Sequence, residues 1–200
     1  LKTVLSAGLR TVATEGNLNN DIGVPLSLLK ITPDTQIAII EMGASHPDDI
    51  AKLVKVSEPD YGIITNVGKA HLLGFGSFEG VKKAKGRLYD YVNDFGKAVF
   101  VNEDDEVLRS MCAEREGLSI VPYGLNTDGC TILETTSESP FLRIKLSDGK
   151  VINTSLIGNY NSANVLAALC VGKFFGISED KALAAIASYR PSNSRSQMVR

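Results

Sequence analysis

Glu41, His71 and Lys85 are the side chains of this 200-residue chain best placed by sequence to do chemistry. Glu41 closes a continuous apolar run, Gln36 to Glu41 (QIAIIE). A carboxylate at the end of a buried strand is unfavourable unless a cation or metal pairs with it. It could equally be a helix-capping or salt-bridged acid. The Met42-Gly43-Ala44-Ser45-His46 stretch behind it reads as a tight, backbone-exposed turn, which suits a ligand site. His71, one of only two histidines, follows the next strand end and precedes Gly74-Phe75-Gly76; a lone histidine is also commonly structural. A Glu and a His from neighbouring strand ends suit Mg²⁺, with water and phosphate filling the remaining positions. They are too few for a dedicated zinc site. Lys82, Lys83 and Lys85 head a helix, either as a solvated basic face or with one lysine turned inward to phosphate or metal.

Two asparagine groups carry a second layer of chemistry. Asn17, Asn19 and Asn20 lead into a helix. Asparagines in a turn provide positive φ and local hydrogen bonds, and three beside a helix N-terminus also make an anion cradle. Asn161 and Asn164, in the run GNYNSAN from Gly158, are three apart and share one helix face. They read either as N-cap chemistry or as contacts to a base or ribose. There is no P-loop, because no Gly-Lys pair is followed by Ser or Thr. If the protein uses ATP, the phosphate loop lies upstream of residue 1.

The elements that must hold these residues alternate. Arg10–Thr14, Gln36–Glu41, Tyr61–Thr65, Lys97–Asn102 and Ser119–Pro122 read as strands. Ile22–Leu29, Pro47–Val56, Gly80–Val92 and Asp104–Glu114 read as helices between them. This rhythm predicts a doubly wound α/β fold with a mainly parallel sheet flanked by helices, in which ligands bind beyond the carboxyl ends of the strands. After Tyr123 the rhythm changes. Cys130–Thr136, Phe141–Leu146 and Val151–Leu156 predict a small antiparallel β-meander over residues 123–157, followed by helices Asn161–Phe175 and Glu179–Ser188. Residues 1–190 are expected to be one domain and 191–200 a linker toward a further domain. The Leu1 start and the open loop at the other end read as a piece of a longer protein.

Bulk composition narrows the class. With 44% hydrophobic residues the chain can build a sizeable core, and a net charge of −2 gives no basic field for nucleic acid or an anionic membrane. The three cysteines are far apart with no CxxC, as expected of reduced thiols in the cytoplasm.

Several stretches, taken together and in order, resemble the Mur ligase family: Asn17-Leu18-Asn19-Asn20-Asp21-Ile22-Gly23-Val24-Pro25, Glu41-Met42-Gly43-Ala44-Ser45-His46, Thr65-Asn66-Val67-Gly68, Ala70-His71-Leu72, Gly74-Phe75-Gly76-Ser77 and Ala84-Lys85-Gly86. The GNLNNDIGVP, EMGASH and GFGS forms are most similar to the branch that joins D-Ala-D-Ala to a UDP-N-acetylmuramoyl-tripeptide. The resemblance implies the central ATPase domain of such an enzyme, lacking its first strand and P-loop, with N- and C-terminal domains outside this chain. It implies an ATP-dependent ligase of cytoplasmic peptidoglycan precursor synthesis, a monomer, working through an acyl phosphate and Mg²⁺, with this stretch alone inactive. By motif, Glu41, His71 and a carbamylated Lys85 would hold the metal and carry catalysis. Asn161, Asn164 and Arg195 would bind ATP. Asn17, Asn20, Ser45 and His46 would line the substrate side. Leu73, Arg87 and Tyr160 depart from the Glu, Glu and His the family often has, and Arg87 would change the charge beside Lys85. Another amide ligase of the superfamily, such as a folylpolyglutamate type, or a non-catalytic domain keeping the fold, are the competing expectations.

Overall fold

The computed structural model describes residues 1–68, 72–136 and 139–191. Helix α1 (Lys2–Leu5) opens the chain and belongs to one compact unit with the chain from Tyr123 onward; Arg10–Pro122 forms a second unit.

In the Arg10–Pro122 unit, β1 (Thr11–Ala13) leads through α2 (Gly23–Leu28) to β2 (Ile37–Ile39), which lies parallel to β1 with Thr11 opposite Ile37. Parallel neighbours need a crossover, and α2 supplies it. Next comes α3 (Asp49–Ser57), which buries Ile50, Leu53 and Val54 along one stripe. Beyond β3 (Tyr61–Ile63) come the short α4 (Leu72–Phe75), the long α5 (Phe78–Phe95), β4 (Ala98–Asn102), α6 (Glu106–Ala113) and β5 (Ile120–Tyr123). The second sheet has the order β3-β4-β5, with β3 parallel to β4.

Strand β4 is the covered strand of this sheet: Ala98, Val99, Phe100 and Val101 are all buried. Val99 and Val101 meet Tyr89 and Val92 of α5, and Leu108, Met111 and Cys112 of α6, in one core cluster. The expected covered central strand at Gln36–Glu41 is shorter and different in kind. β2 is half-buried, and among the described residues it pairs only with β1. An apolar run alone cannot tell a strand covered on both faces from one with a half-open side. Glu41 therefore lies in the loop beyond β2 rather than at its last residue. Helix α5 is longer than the expected Gly80–Val92, because Ser77 caps it with its Oγ accepting the Gly80 amide at 3.0 Å.

In the other unit, β6 (Thr131–Ile132), β7 (Arg143–Lys145) and β8 (Val151–Asn153) form the expected antiparallel meander. A 3₁₀ turn (Asn159–Asn161) precedes α7 (Ser162–Phe174), and α8 (Glu179–Ser188) follows. Helices α1, α7 and α8 pack on one another and α8 packs on β8. Leu5, Ile144, Ile152, Leu166 and Ile186 are buried there. The meander thus shares its unit with the helices that follow it. No helix among the described residues is long and apolar enough to cross a membrane.

Candidate functional site

Glu41 leaves β2 with its main chain already fixed. Its amide donates to Thr14 Oγ1 at 2.9 Å, just beyond the end of β1. Its carboxylate is exposed, and Oε1 accepts a hydrogen bond from Asn19 Nδ2 at 3.0 Å. The Gly43 amide then donates to the Asn19 carbonyl at 2.7 Å. The loop after β2 is therefore laced to the loop after β1, which is what two parallel neighbours with adjacent carboxyl ends permit.

The turn that follows is held from the far side by α3. Ser45 and His46 both donate their amides to Asp49 Oδ2 at 2.8 Å, and His46 Nδ1 lies 3.6 Å from the same oxygen. Burial on its own would raise the Asp49 carboxyl. The two amides, with the nearby His46 and Lys52 charges, outweigh it and hold Asp49 below the ordinary aspartate value. The Ser45 and His46 side chains stand exposed, as a substrate-facing role requires.

Lys85 is the lysine that turns inward. Its Nζ donates to the Asn66 carbonyl at 2.7 Å, in the loop after β3, and burial pushes its pKa below the ordinary lysine value. Lys83 is exposed. Lys82 is not a freely solvated cation, for its Nζ meets Glu114 Oε1 at 2.7 Å and only 17% of its side chain is exposed. Ala44 after β2, Val67 after β3, Phe75 of α4 and Val81 and Ala84 of α5 pack into one apolar cluster. That cluster is the floor on which the Glu41 loop, the Asn66 loop and the Lys85 turn converge. Gly74 permits the approach: a Cβ there would stand 2.2 Å from the Ser45 carbonyl oxygen.

The asparagines divide. Asn17 is exposed, with its carbonyl accepting the Asn19 amide at 2.8 Å. Asn20 Oδ1 accepts the Ile22 and Gly23 amides at 3.2 and 2.8 Å, so its side-chain oxygen starts helix α2. Asn161 and Asn164 are unlike each other. Asn161 is buried with Nδ2 donating to the Ile157 carbonyl at 2.9 Å, whereas Asn164 is exposed. The simple N-cap reading fails at Asn161, which makes no side-chain cap to α7. These two belong to the other unit. His71 and Arg195 lie outside the described residues. Among the described residues, no three His, Cys, Asp or Glu side chains are gathered as for a metal. The donors that do fit Mg²⁺ are hard oxygens: the Glu41 carboxylate and, once carbamylated, Lys85. An unmodified ammonium has no lone pair to offer. Thr14 and Asp49 escaped the reading of site residues, because each acts on a neighbour rather than on a ligand. Asn19 reads in the sequence only as part of a turn or an anion cradle, whereas its side chain donates to Glu41.

A family model described as the Mur ligase middle domain matches residues 1–172. The chain belongs to the Mur ligase family. It is 35% identical over 191 residues to the UDP-N-acetylmuramoyl-tripeptide–D-alanyl-D-alanine ligase of Escherichia coli K12, covering 94% of this chain and 42% of that protein. Among solved structures, it resembles MurF from Acinetobacter baumannii with a TM-score of 0.83 and 25% identity, over 99% of this chain and 44% of that one. It also resembles the MurF ligase from Thermotoga maritima in complex with ADP, with a TM-score of 0.80 and 25% identity, over 96% of this chain and 45% of that one. The chain thus spans less than half the length of these relatives. Parallel sheets flanked by helices, with a small antiparallel sheet, are the architecture it shares with them.

Proposed function

We propose that the protein carrying this chain is an ATP-dependent ligase of cytoplasmic peptidoglycan precursor synthesis that joins D-Ala-D-Ala to a UDP-N-acetylmuramoyl-tripeptide. The observation that carries this reading is Lys85, a lysine drawn inward, desolvated and bound to the Asn66 carbonyl on the cluster it shares with the Glu41 loop. Burial disfavours the ammonium and leaves more free amine. A free amine adds to CO₂ to give a carbamate and releases a proton. That step converts a cation into an anionic oxygen donor on α5, whose Ala84 shares a cluster with Ala44 of the loop after Glu41.

The reaction needs a better electrophile than a carboxylate. The tripeptide carboxylate attacks the γ-phosphorus of ATP, giving an acyl phosphate and ADP. The D-Ala-D-Ala amine then adds to the acyl carbon, and the tetrahedral intermediate expels phosphate. Mg²⁺ would offset the negative charge gathered when carboxylate meets triphosphate. Glu41, His71 and carbamylated Lys85 are the residues assigned to hold it. Asn17, Asn20, Ser45 and His46 would face the UDP-sugar, with Asn20 contributing through its amide nitrogen, because its oxygen already serves α2. Asn161, Asn164 and Arg195 are the residues assigned to ATP, with Asn161 Nδ2 already donating to the Ile157 carbonyl. A chain that spans less than half the length of these relatives would be inactive by itself.

The test is ADP release by the full-length protein with UDP-muramoyl-tripeptide and D-Ala-D-Ala. Activity should require both substrates, rise with bicarbonate and fall at least ~100-fold in Lys85→Ala. Release of ADP with folate and glutamate instead would move the protein to the folylpolyglutamate type. No release with any acceptor, and full activity of Lys85→Ala, would each overturn the reading.

A further inference from the structure

We infer that Asn19 is the positioning residue for the Glu41 carboxylate, an inference that rests on Glu41 being a metal ligand. Three bonds define the arrangement. Glu41 N donates to Thr14 Oγ1 at 2.9 Å and fixes the base of the side chain. Asn19 Nδ2 donates to Oε1 at 3.0 Å and fixes its head. Gly43 N donates to the Asn19 carbonyl at 2.7 Å and ties Asn19 to the same loop. Glu41 is exposed, and without a partner its carboxylate would sample several rotamers that metal binding would have to freeze. The Asn19 bond to Oε1 holds the head beforehand.

Shaping the turn does not explain the Asn19 amide. The turn is closed by main-chain groups: Asn19 N donates to Asn17 O at 2.8 Å and Asn19 O accepts Gly43 N. Neither needs a carboxamide. The side chain also abuts Gly43, where a Cβ would stand 3.0 Å from Asn19 Cγ. That contact sets where the amide sits but not what it donates to. An outer residue that orients a ligating carboxylate is worth roughly 10–100-fold in metal affinity.

The test uses the full-length protein and Mn²⁺ alone, titrated by the loss of its free-ion EPR signal, with thermal melting as the control for folding. Asn19→Leu keeps the shape and loses the donor. It should weaken Mn²⁺ binding by at least ~10-fold while melting as the parent does. Asn19→Gln, a donor on a longer arm, should recover part of the loss. If Asn19→Leu melts early, Asn19→Ser serves instead: it keeps the turn preference, its hydroxyl is too short to reach Oε1, and the same loss is expected. Glu41→Gln should weaken binding on its own, and adding Asn19→Leu to it should weaken binding no further. Parent-like binding by Asn19→Leu or Asn19→Ser beside a weak Glu41→Gln, or losses that simply add, would overturn the role of Asn19. Parent-like binding by Glu41→Gln would overturn the metal-ligand reading beneath it.

Discussion

A single methyl group at Gly74 is expected to disturb the candidate site more than its exposed position suggests. A Cβ built there lies 2.2 Å from the Ser45 carbonyl oxygen and 3.4 Å from its carbonyl carbon. Carbon and carbonyl oxygen approach one another to about 3.3 Å, so one main chain must retreat by about 1 Å. Both partners are backbone, and no rotamer change relieves the clash. Ser45 is not free to yield by itself, for its amide is bound to Asp49 Oδ2 at 2.8 Å and its loop begins at Glu41. Forced overpacking of this kind costs about 1–3 kcal/mol. For a chain of this size each kcal/mol lowers Tm by about 2–4 °C. Gly74→Ala should therefore lower the melting temperature of the 200-residue chain by roughly 2–12 °C. In the full-length protein it should lower kcat by on the order of 100-fold, as a 1 Å misplacement of reacting groups does. Gly76 is the control. Its φ is +73°, and a Cβ there meets nothing within 4 Å. Gly76→Ala carries only the left-handed strain of about 1–2 kcal/mol. It should lower Tm without a comparable loss of kcat. If the two variants behave alike, or if Gly74→Ala matches the parent in both assays, the reasoning from close approach is wrong.

Two further substitutions separate structural duty from substrate duty in the same loops. Asn20→Ala should destabilise by about 1 kcal/mol through the lost start of α2, whereas Asn20→Asp keeps the acceptor and the stability. A raised KM for the UDP-substrate in Asn20→Asp would then report the amide nitrogen, and an unchanged KM would remove Asn20 from the substrate site. Asp49 is held below its ordinary value in the folded chain, so its contribution is present above that ordinary value and lost as pH falls through the lower, folded one. Urea midpoints of the parent and Asp49→Asn should therefore differ at pH 7 and converge in acid. A gap independent of pH would show that the two amide bonds are not what lowers the Asp49 carboxyl.

The alternation of apolar runs and amphipathic segments placed nearly every element, because periods of two and of about 3.6 residues are properties of the chain itself. Boundaries slipped where a side chain far from the periodic stretch decided them. Ser77 lengthened α5 toward its start, and the strand at Gln36–Glu41 shrank to Ile37–Ile39. The short α4 at Leu72–Phe75 lay hidden in what reads as a glycine-rich loop. Lys85 could not be told from Lys82 and Lys83 by composition, since three lysines in four positions differ only in which face they occupy.

What the sequence by itself determined is the class of fold, the meander after Tyr123, and the family resemblance carried by Asn17–Pro25, Glu41–His46 and Thr65–Gly86. These depend on local pattern and on residue identity, and both are written along the chain. Only the tertiary structure decided that Asn19 holds Glu41 and that Lys82 pairs with Glu114 while Lys85 turns to Asn66. These join residues far apart in the chain, and all three depend on distances of about 3 Å or less. Such distances are set by how β1, β2, β3, α5 and α6 pack, and no reading of spacing along the chain contains them; the bonds from Ser45 and His46 to Asp49 are local, four and three residues apart.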